Sequence, residues 1–380
     1  MKKVLFVQIK GKSKAGVWFV NKTIGEELIK KGYSVEILSI RDNPGDIILE
    51  HDSRLKTHTI NKKDLWEISR KKDIKSLKSL IKYIKEHVKL MQDFKKTKEY
   101  IRNLNPDYII TSHYQALDAI PKEFYYKTIN EQHSSMKDVK RVKTNYNTLM
   151  KYSKKIYGLL WLTKATSEEA DSLGFKNNFY IYNPVKFETN EIANVEENNK
   201  LICITRIENT QKRINIMIDI VDKVLNNNPE WCFEIYGTGE FDEKSKEIMS
   251  KNTKIKYMGS TDNPKDILLT SSINLNTSIF EGFSLSILEA SMCGVPTISF
   301  NFGESVYEEI ADNESGYIIE NDDIELYISK LNYLMNDKTK LVKMSEECKS
   351  FSKKFLPTNI VKGWIDLFEK MDRKNKKKDI

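Results

Sequence analysis

An unbroken apolar run at residues 4–7 opens the chain, and beyond Gly11 and Gly16 come Val20, Ile24 and Leu28 at steps of four. A short apolar run followed by a period near 3.6 predicts a buried strand, a glycine-bearing loop and a helix. After Gly32 a second run at 35–38 predicts another strand, and this strand-helix-strand spacing begins a parallel, doubly wound sheet. Runs at 108–110, 128–129 and 157–162 predict further strands of the same sheet.

Between them Ile74, Leu77, Ile81, Ile84, Val88 and Met91 recur at steps of three and four, the mark of a long amphipathic helix. Residues 62–99 hold 13 Lys or Arg against 6 Asp or Glu, a net of 13 − 6 = +7. Such a helix suits peripheral contact with an anionic membrane. The alternative is a domain helix whose apolar stripe packs on the sheet while its lysines are solvated.

From 185 to 200 the chain turns polar and acidic without periodicity, which suggests a linker. A second series then begins: strands at 201–205, 232–236, 255–258, 273–275, 297–300 and 317–319, with a helix marked by Ile214, Met217, Ile218, Val221, Val224 and Leu225 and stopped at Asn228-Pro229. The expected division is an N-terminal Rossmann-like domain over 1–184 and a C-terminal one over 199–357. A last helix over 358–373, apolar at Ile360, Val361, Trp364, Ile365, Leu367 and Phe368, is expected to pack back onto the first domain, followed by a basic, disordered tail from Arg373 to Lys378.

At 380 residues, two domains are the prior, and 39% hydrophobic with 10% aromatic residues describes a folding chain. The net charge of +8 favours an anionic partner without choosing among nucleic acid, lipid and phosphorylated small molecules. Cys203, Cys232, Cys293 and Cys348 lack C-x-x-C spacing and read as buried reduced thiols. The first apolar run is too short for a signal peptide, and no stretch reaches the roughly 20 apolar residues of a membrane span. A cytoplasmic location is the expectation.

The chemistry concentrates at 278–296, where Glu281-Gly282-Phe283-Ser284-Leu285 leads to Glu289-Ala290 and then Cys293-Gly294-Val295-Pro296. Ser284 suits an N-cap, Gly294 a left-handed C′ position, and Pro296 blocks continuation, so Glu281 falls in a loop and Glu289 in a helix. A helix opening beyond a parallel strand's carboxyl end offers N–H groups, here those of Phe283, Ser284 and Leu285, to an anion such as a diphosphate. Gly282 allows close backbone approach, and two carboxylates are acceptors for sugar hydroxyls. Two glutamates alone would equally suit an amphipathic helix with an exposed acid.

The full string resembles the Glu-x7-Glu signature of the retaining GT-B glycosyltransferases of glycosyltransferase family four. Arg206 and Lys212 resemble that family's R-x4-K pair, with one extra residue between them that leaves Lys212 and Arg213 as alternative contacts. Gly237-Thr238-Gly239 resembles its G-x-G turn, and Tyr257-Met258-Gly259 the element bordering the base. In the first half, Ala15-Gly16 takes the place of its glycine-rich loop, and His133, after a strand, that of its active-site histidine.

The resemblance implies a GT-B fold, an α/β architecture of two Rossmann-like domains facing each other across a cleft. It implies transfer of a hexose from a nucleotide-sugar, a UDP-hexose or UDP-N-acetylhexosamine, to a glycan, lipid-linked or polymer acceptor in cell-surface polysaccharide or glycoconjugate biosynthesis, with retention. By that resemblance Gly16, Arg206 and Lys212 contact the donor phosphates and Met258 borders the base. Glu281 orients the sugar, Glu289 the ribose, and His133 supports the reacting centre. No cofactor and no obligatory metal are expected, since no D-x-D motif stands at a strand end and Arg206 and Lys212 can neutralise the leaving diphosphate. A non-catalytic binding subunit and a GT-B-fold epimerase are the alternatives. No nucleic-acid module is recognisable, and nucleic acid is not an expected partner.

Overall fold

The computed structural model describes residues 1–10, 16–42, 51–62 and 76–376. Gly11, Ala15, Ile74 and the end of the basic tail lie outside them. The chain divides into two compact units, Met1–Pro184 with Pro357–Ile380, and Val185–Leu356.

The first unit is a seven-stranded sheet in the order β3-β2-β1-β4-β5-β6-β7, parallel throughout. Its strands are β1 (Lys3–Lys10), β2 (Ser34–Arg41), β3 (Lys56–Asn61), β4 (Tyr108–Thr111), β5 (Thr128–Gln132), β6 (Gly158–Trp161) and β7 (Asn178–Tyr180). The central strands β1, β4 and β6 carry apolar runs because helices cover both faces of a parallel sheet, whereas β5 buries the polar Asn130, Glu131 and Gln132. The edge strands β3 and β7, which the hydrophobic pattern does not announce, are polar and half-open.

Helix α1 (Gly16–Lys30) buries Trp18, Val20, Ile24 and Leu28 against this sheet. Helix α2 (Leu77–Leu104) departs from expectation. Its packed face is Glu86, Asp93, Phe94, Thr97 and Ile101, while Leu77, Ile81, Ile84, Val88 and Met91 are exposed. Two apolar stripes lie on different sides of one helix, and the sheet takes the C-terminal one. The reading in which the 77–91 stripe packs on the sheet is therefore corrected.

The last helix, Pro357–Lys376, belongs to the first unit, where Trp364 meets Phe6 edge-on at 6.1 Å and Phe368 stacks on Tyr108 at 4.1 Å. Arg373 to Lys376 are helical rather than a disordered tail, and basic residues in a last turn complement the helix dipole.

The second unit has the strand order β10-β9-β8-β11-β12-β13, again all parallel. The strands are β8 (Lys200–Ile204), β9 (Cys232–Tyr236), β10 (Ile255–Gly259), β11 (Ile273–Asn276), β12 (Thr297–Phe300) and β13 (Gly316–Ile319). Its core gathers Ile202, Ile214, Ile218, Val221, Phe233, Ile298 and Tyr327. The stretch 185–199, expected as a linker, is part of this unit: Val185 N bonds Phe355 O at 3.0 Å, Ala193 N bonds Cys293 O at 2.8 Å, and Ala193 and Val195 are buried. Its polar sequence hid these anchors because the pairing is with loops and not with a strand. Cys203, Cys293 and Cys348 are buried and Cys232 half-buried, all as free thiols.

Candidate functional site

In the second unit the strand order reverses between β8 and β11, and in an open parallel sheet the crevice outside such a reversal is where ligands bind. The loop after β8 carries Arg206 and Lys212, and the loop after β11 carries Glu281. The reversal brings these three side chains together. Lys212 Nζ pairs with Glu281 Oε1, Gln211 Nε2 donates to Glu281 Oε2 at 3.2 Å and to Phe280 O at 2.9 Å, and Arg206 donates to Gln211 Oε1 at 2.8 Å. Gln211, not singled out in the sequence, is the link between the two loops. Arg213 is committed elsewhere, to Asp322 and the face of Phe300.

Glu208 shapes this loop. Its carboxylate accepts the backbone N–H groups of Thr210 at 2.9 Å, Gln211 at 3.0 Å and Lys212 at 2.9 Å. Burial works to raise its pKa, but these hydrogen bonds outweigh it and hold the group below the usual carboxylate range. From the other side, Ile279 N bonds Gln211 O at 3.0 Å and Thr277 Oγ1 bonds Lys212 O at 2.7 Å.

Gly237 and Gly239 support the Arg206 segment from β9. Thr205 N bonds Tyr236 O at 2.9 Å and Ile207 N bonds Thr238 O at 2.8 Å, so the two loops run backbone against backbone. A Cβ on Gly237 would stand 1.6 Å from Thr205 O, and one on Gly239 2.1 Å from Ile207 O. The G-x-G turn is thus a packing requirement for Arg206. Met258, on β10, is 46% exposed, and its neighbour Tyr257 donates to Gly237 O at 2.9 Å.

Beyond Glu281 and Gly282 the helix Leu285–Met292 begins with Ser284 at the N-cap, and Gly294 follows its end at φ 71° in the left-handed region. Ser284 Oγ makes no capping bond; it lies 3.1 Å from Ser286 Oγ. The Ser284 N–H, expected to face an anion, donates instead to Glu309 Oε2 at 2.9 Å. The Leu285 amide stays in the helix's first turn, without an intrahelical acceptor. The Phe283 ring turns inward, edge-on to Phe355 at 5.5 Å.

Glu289 is 2% exposed, and Lys186 Nζ lies 2.6 Å from its Oε1. Burial raises the Glu289 pKa, with Lys186 opposing it. Lys186 and Glu309 were both missed in the sequence, the first inside a supposed linker and the second in an acidic Glu308-Glu309 pair that reads as surface.

In the first unit the strand order reverses between β1 and β4. Gly16 opens α1 just after β1. Behind it Asn21 Nδ2 reaches Gln8 Oε1 at 3.2 Å and Ser112 Oγ at 3.0 Å, and Gln8 reaches Ser39 Oγ at 3.1 Å, a buried polar set that ties α1 to three strand ends. His133 follows β5, and its Nε2 lies 3.1 Å from Oε2 of the buried Glu131, an ion-pair distance without hydrogen-bond alignment. Among the described residues no group of three or more His, Cys, Asp or Glu is gathered to hold a metal ion.

The whole chain resembles a solved structure of a Staphylococcus aureus TarM mutant in complex with fondaparinux, α-GlcNAc-glycerol and UDP, at TM-score 0.73 and 18% identity, over 97% of this chain and 100% of that one. The fold is GT-B. Within this GT-B chain, residues 185–354 match the family model of the glycosyl transferases group 1, nearly the whole second unit. A poly(glycerol-phosphate) α-glucosyltransferase of Bacillus subtilis (strain 168) is 24% identical over 66% of this chain and 38% of its own length. A poly(ribitol-phosphate) α-N-acetylglucosaminyltransferase of S. aureus (strain COL) is 27% identical over 62% of this chain and 48% of its own length. The chain therefore spans less than half the length of these two relatives.

Proposed function

We propose that this GT-B chain is a retaining glycosyltransferase that moves a hexose or N-acetylhexosamine from a UDP-sugar to a hydroxyl of a glycan, lipid-linked or polymer acceptor in cell-surface polysaccharide synthesis. The observation that carries the reading is the convergence of Arg206, Lys212 and Glu281 on the strand-order reversal of the second unit. Two cations and a carboxylate at such a crevice suit a diphosphate joined to a sugar. The match to glycosyl transferases group 1 over the same unit supports it.

Glu281 pairs with Lys212, and Gln211 accepts from Arg206. An arriving diphosphate takes both cations by stronger charge-assisted bonds, and the released Glu281 carboxylate turns to the sugar hydroxyls. As the bond from the anomeric carbon to the phosphate oxygen breaks, that oxygen accepts the acceptor's proton. The acceptor oxygen then bonds the anomeric carbon on the face the phosphate leaves, which retains configuration. Charge developing on the diphosphate is held by Arg206, Lys212 and the first-turn amides of Leu285–Met292. Glu289 accepts from the ribose. His133, assigned by its position after β5, steadies the reacting sugar.

Incubation with UDP-glucose, UDP-galactose and the UDP-N-acetylhexosamines, with and without wall-polymer acceptors, tests the reading. Expected are thermal stabilisation by UDP-sugar and acceptor-dependent release of UDP. Release without acceptor, with a changed sugar, would indicate an epimerase; binding without turnover would indicate a non-catalytic subunit.

A further inference from the structure

Helix α2 holds to its unit by one face, where Arg41 Nε binds the buried Asp93 at 2.9 Å. Nearly opposite stand Leu77, Leu80, Ile81, Ile84, Val88 and Met91, between 36% and 73% exposed. At about 100° per residue all six fall within an arc of about 100°. An unbroken apolar stripe of this length on a surface marks a binding face.

The charges around the stripe say what it binds. Lys78, Lys82, Lys85 and Lys89 run along one border, and Lys95, Lys98 and Arg102 prolong the stripe's own line toward the helix end. Of the three acids on α2, Glu86 and Asp93 are buried, with Lys82 at 3.8 Å and Arg41 at 2.9 Å, which leaves Glu99 as the exposed one. A second copy of the chain would bring two such basic borders together and is disfavoured. Among the described residues no helix is long and apolar enough to cross a membrane, so the stripe serves a surface and not a crossing.

We propose that this face of α2 docks on an anionic lipid bilayer, its apolar stripe in the boundary between headgroups and acyl chains and its lysines on lipid phosphates. The inference is independent of the donor site, since the stripe and its basic borders lie wholly on α2.

Co-sedimentation of the full chain with phosphatidylcholine vesicles, with and without phosphatidylglycerol, tests it. Binding is expected to the anionic vesicles and to fall steeply with salt. Lys82→Gln, Lys85→Gln and Lys89→Gln together should weaken it roughly a hundredfold, at about fivefold per lysine. Ile84→Ser with Val88→Ser should weaken it at least about tenfold, with the melting temperature and UDP affinity kept. In the unmutated chain, anionic vesicles should protect the backbone amides of residues 77–91 from hydrogen exchange. Equal binding by the serine variant, absence of that protection, or a concentration-dependent dimer that the serine variant abolishes would each overturn the proposal.

Discussion

Glu309 accepts the backbone N–H of Ser284 at 2.9 Å, setting a fully buried carboxyl beneath the amino end of the helix that carries Glu289. Its other oxygen, Oε1, has no hydrogen-bond partner. Burial pushes its pKa well above the usual carboxylate range, with the Ser284 N–H pulling down and the Glu281 charge pushing further up. A protonated Glu309 would keep the proposed diphosphate position free of a competing negative charge.

The linkage fixes a sign. The folded chain keeps a proton that the unfolded chain releases once pH passes about 4.3, so stability is lost as pH rises from there toward the folded pKa. Glu309→Gln keeps the acceptor oxygen and removes the titration. Its melting temperature relative to wild type should climb as pH rises above about 4. A difference independent of pH would refute the buried proton. Glu309→Ala, which strands the Ser284 N–H, should cost about 1–3 kcal/mol of stability by chemical denaturation.

Lys212 and Glu281 should separate in their effects. Lys212→Met removes a charge-assisted bond and should lower UDP affinity by about 1.5–3 kcal/mol, while Glu281→Gln removes the group that occupies Lys212 and should leave UDP affinity unchanged or improved, with transfer lost. Calorimetry with UDP beside a transfer assay reads both. An equal loss of UDP affinity in the two variants would mean that Glu281 grips the nucleotide and not the sugar.

Glu289 and Lys186 form a pair in which the acid is the more buried member. Glu289→Ala should weaken donor binding by about 1.5–3 kcal/mol, and unchanged affinity would remove its ribose role. Lys186→Ala leaves the carboxyl buried without its cation, so the fold should lose stability. The loss should be larger at neutral pH than near pH 4, where protonation relieves the charge. A pH-independent loss would show that Lys186 acts by packing alone.

Much of this site was legible in the sequence because its residues sit on strong local signals. Arg206 follows a continuous apolar strand, Gly294 and Pro296 end a helix, and the spacing from Glu281 to Glu289 spans a loop and a helix. What was not legible depends on pairing across the sheet. Gln211 matters only because β8 and β11 are neighbours, and Glu309 only because the chain after β12 returns beneath Ser284. Lys186 lay in a polar stretch whose backbone bonds to distant loops. The α2 stripe had the correct period, but periodicity identifies an apolar face without saying whether anything covers it.

The G-x-G turn gives the sharpest structural test. Gly237 has φ 151° and Gly239 φ 138°, and both backbones lie against the segment 205–207 that presents Arg206. Gly237→Ala would place a methyl 1.6 Å from Thr205 O, which only movement of a backbone can relieve. Overpacking of this kind costs about 1–3 kcal/mol or more, and the displaced loop takes Arg206 with it. The variant should therefore lose both stability and UDP affinity. Gly32, in the first unit, whose added Cβ would meet nothing within 4 Å, controls for the loss of backbone freedom alone. Its alanine variant, strained at φ 87°, should lose stability and keep UDP affinity. If Gly237→Ala and Gly32→Ala weakened UDP binding equally, the glycines would serve the chain's conformation rather than the seating of Arg206.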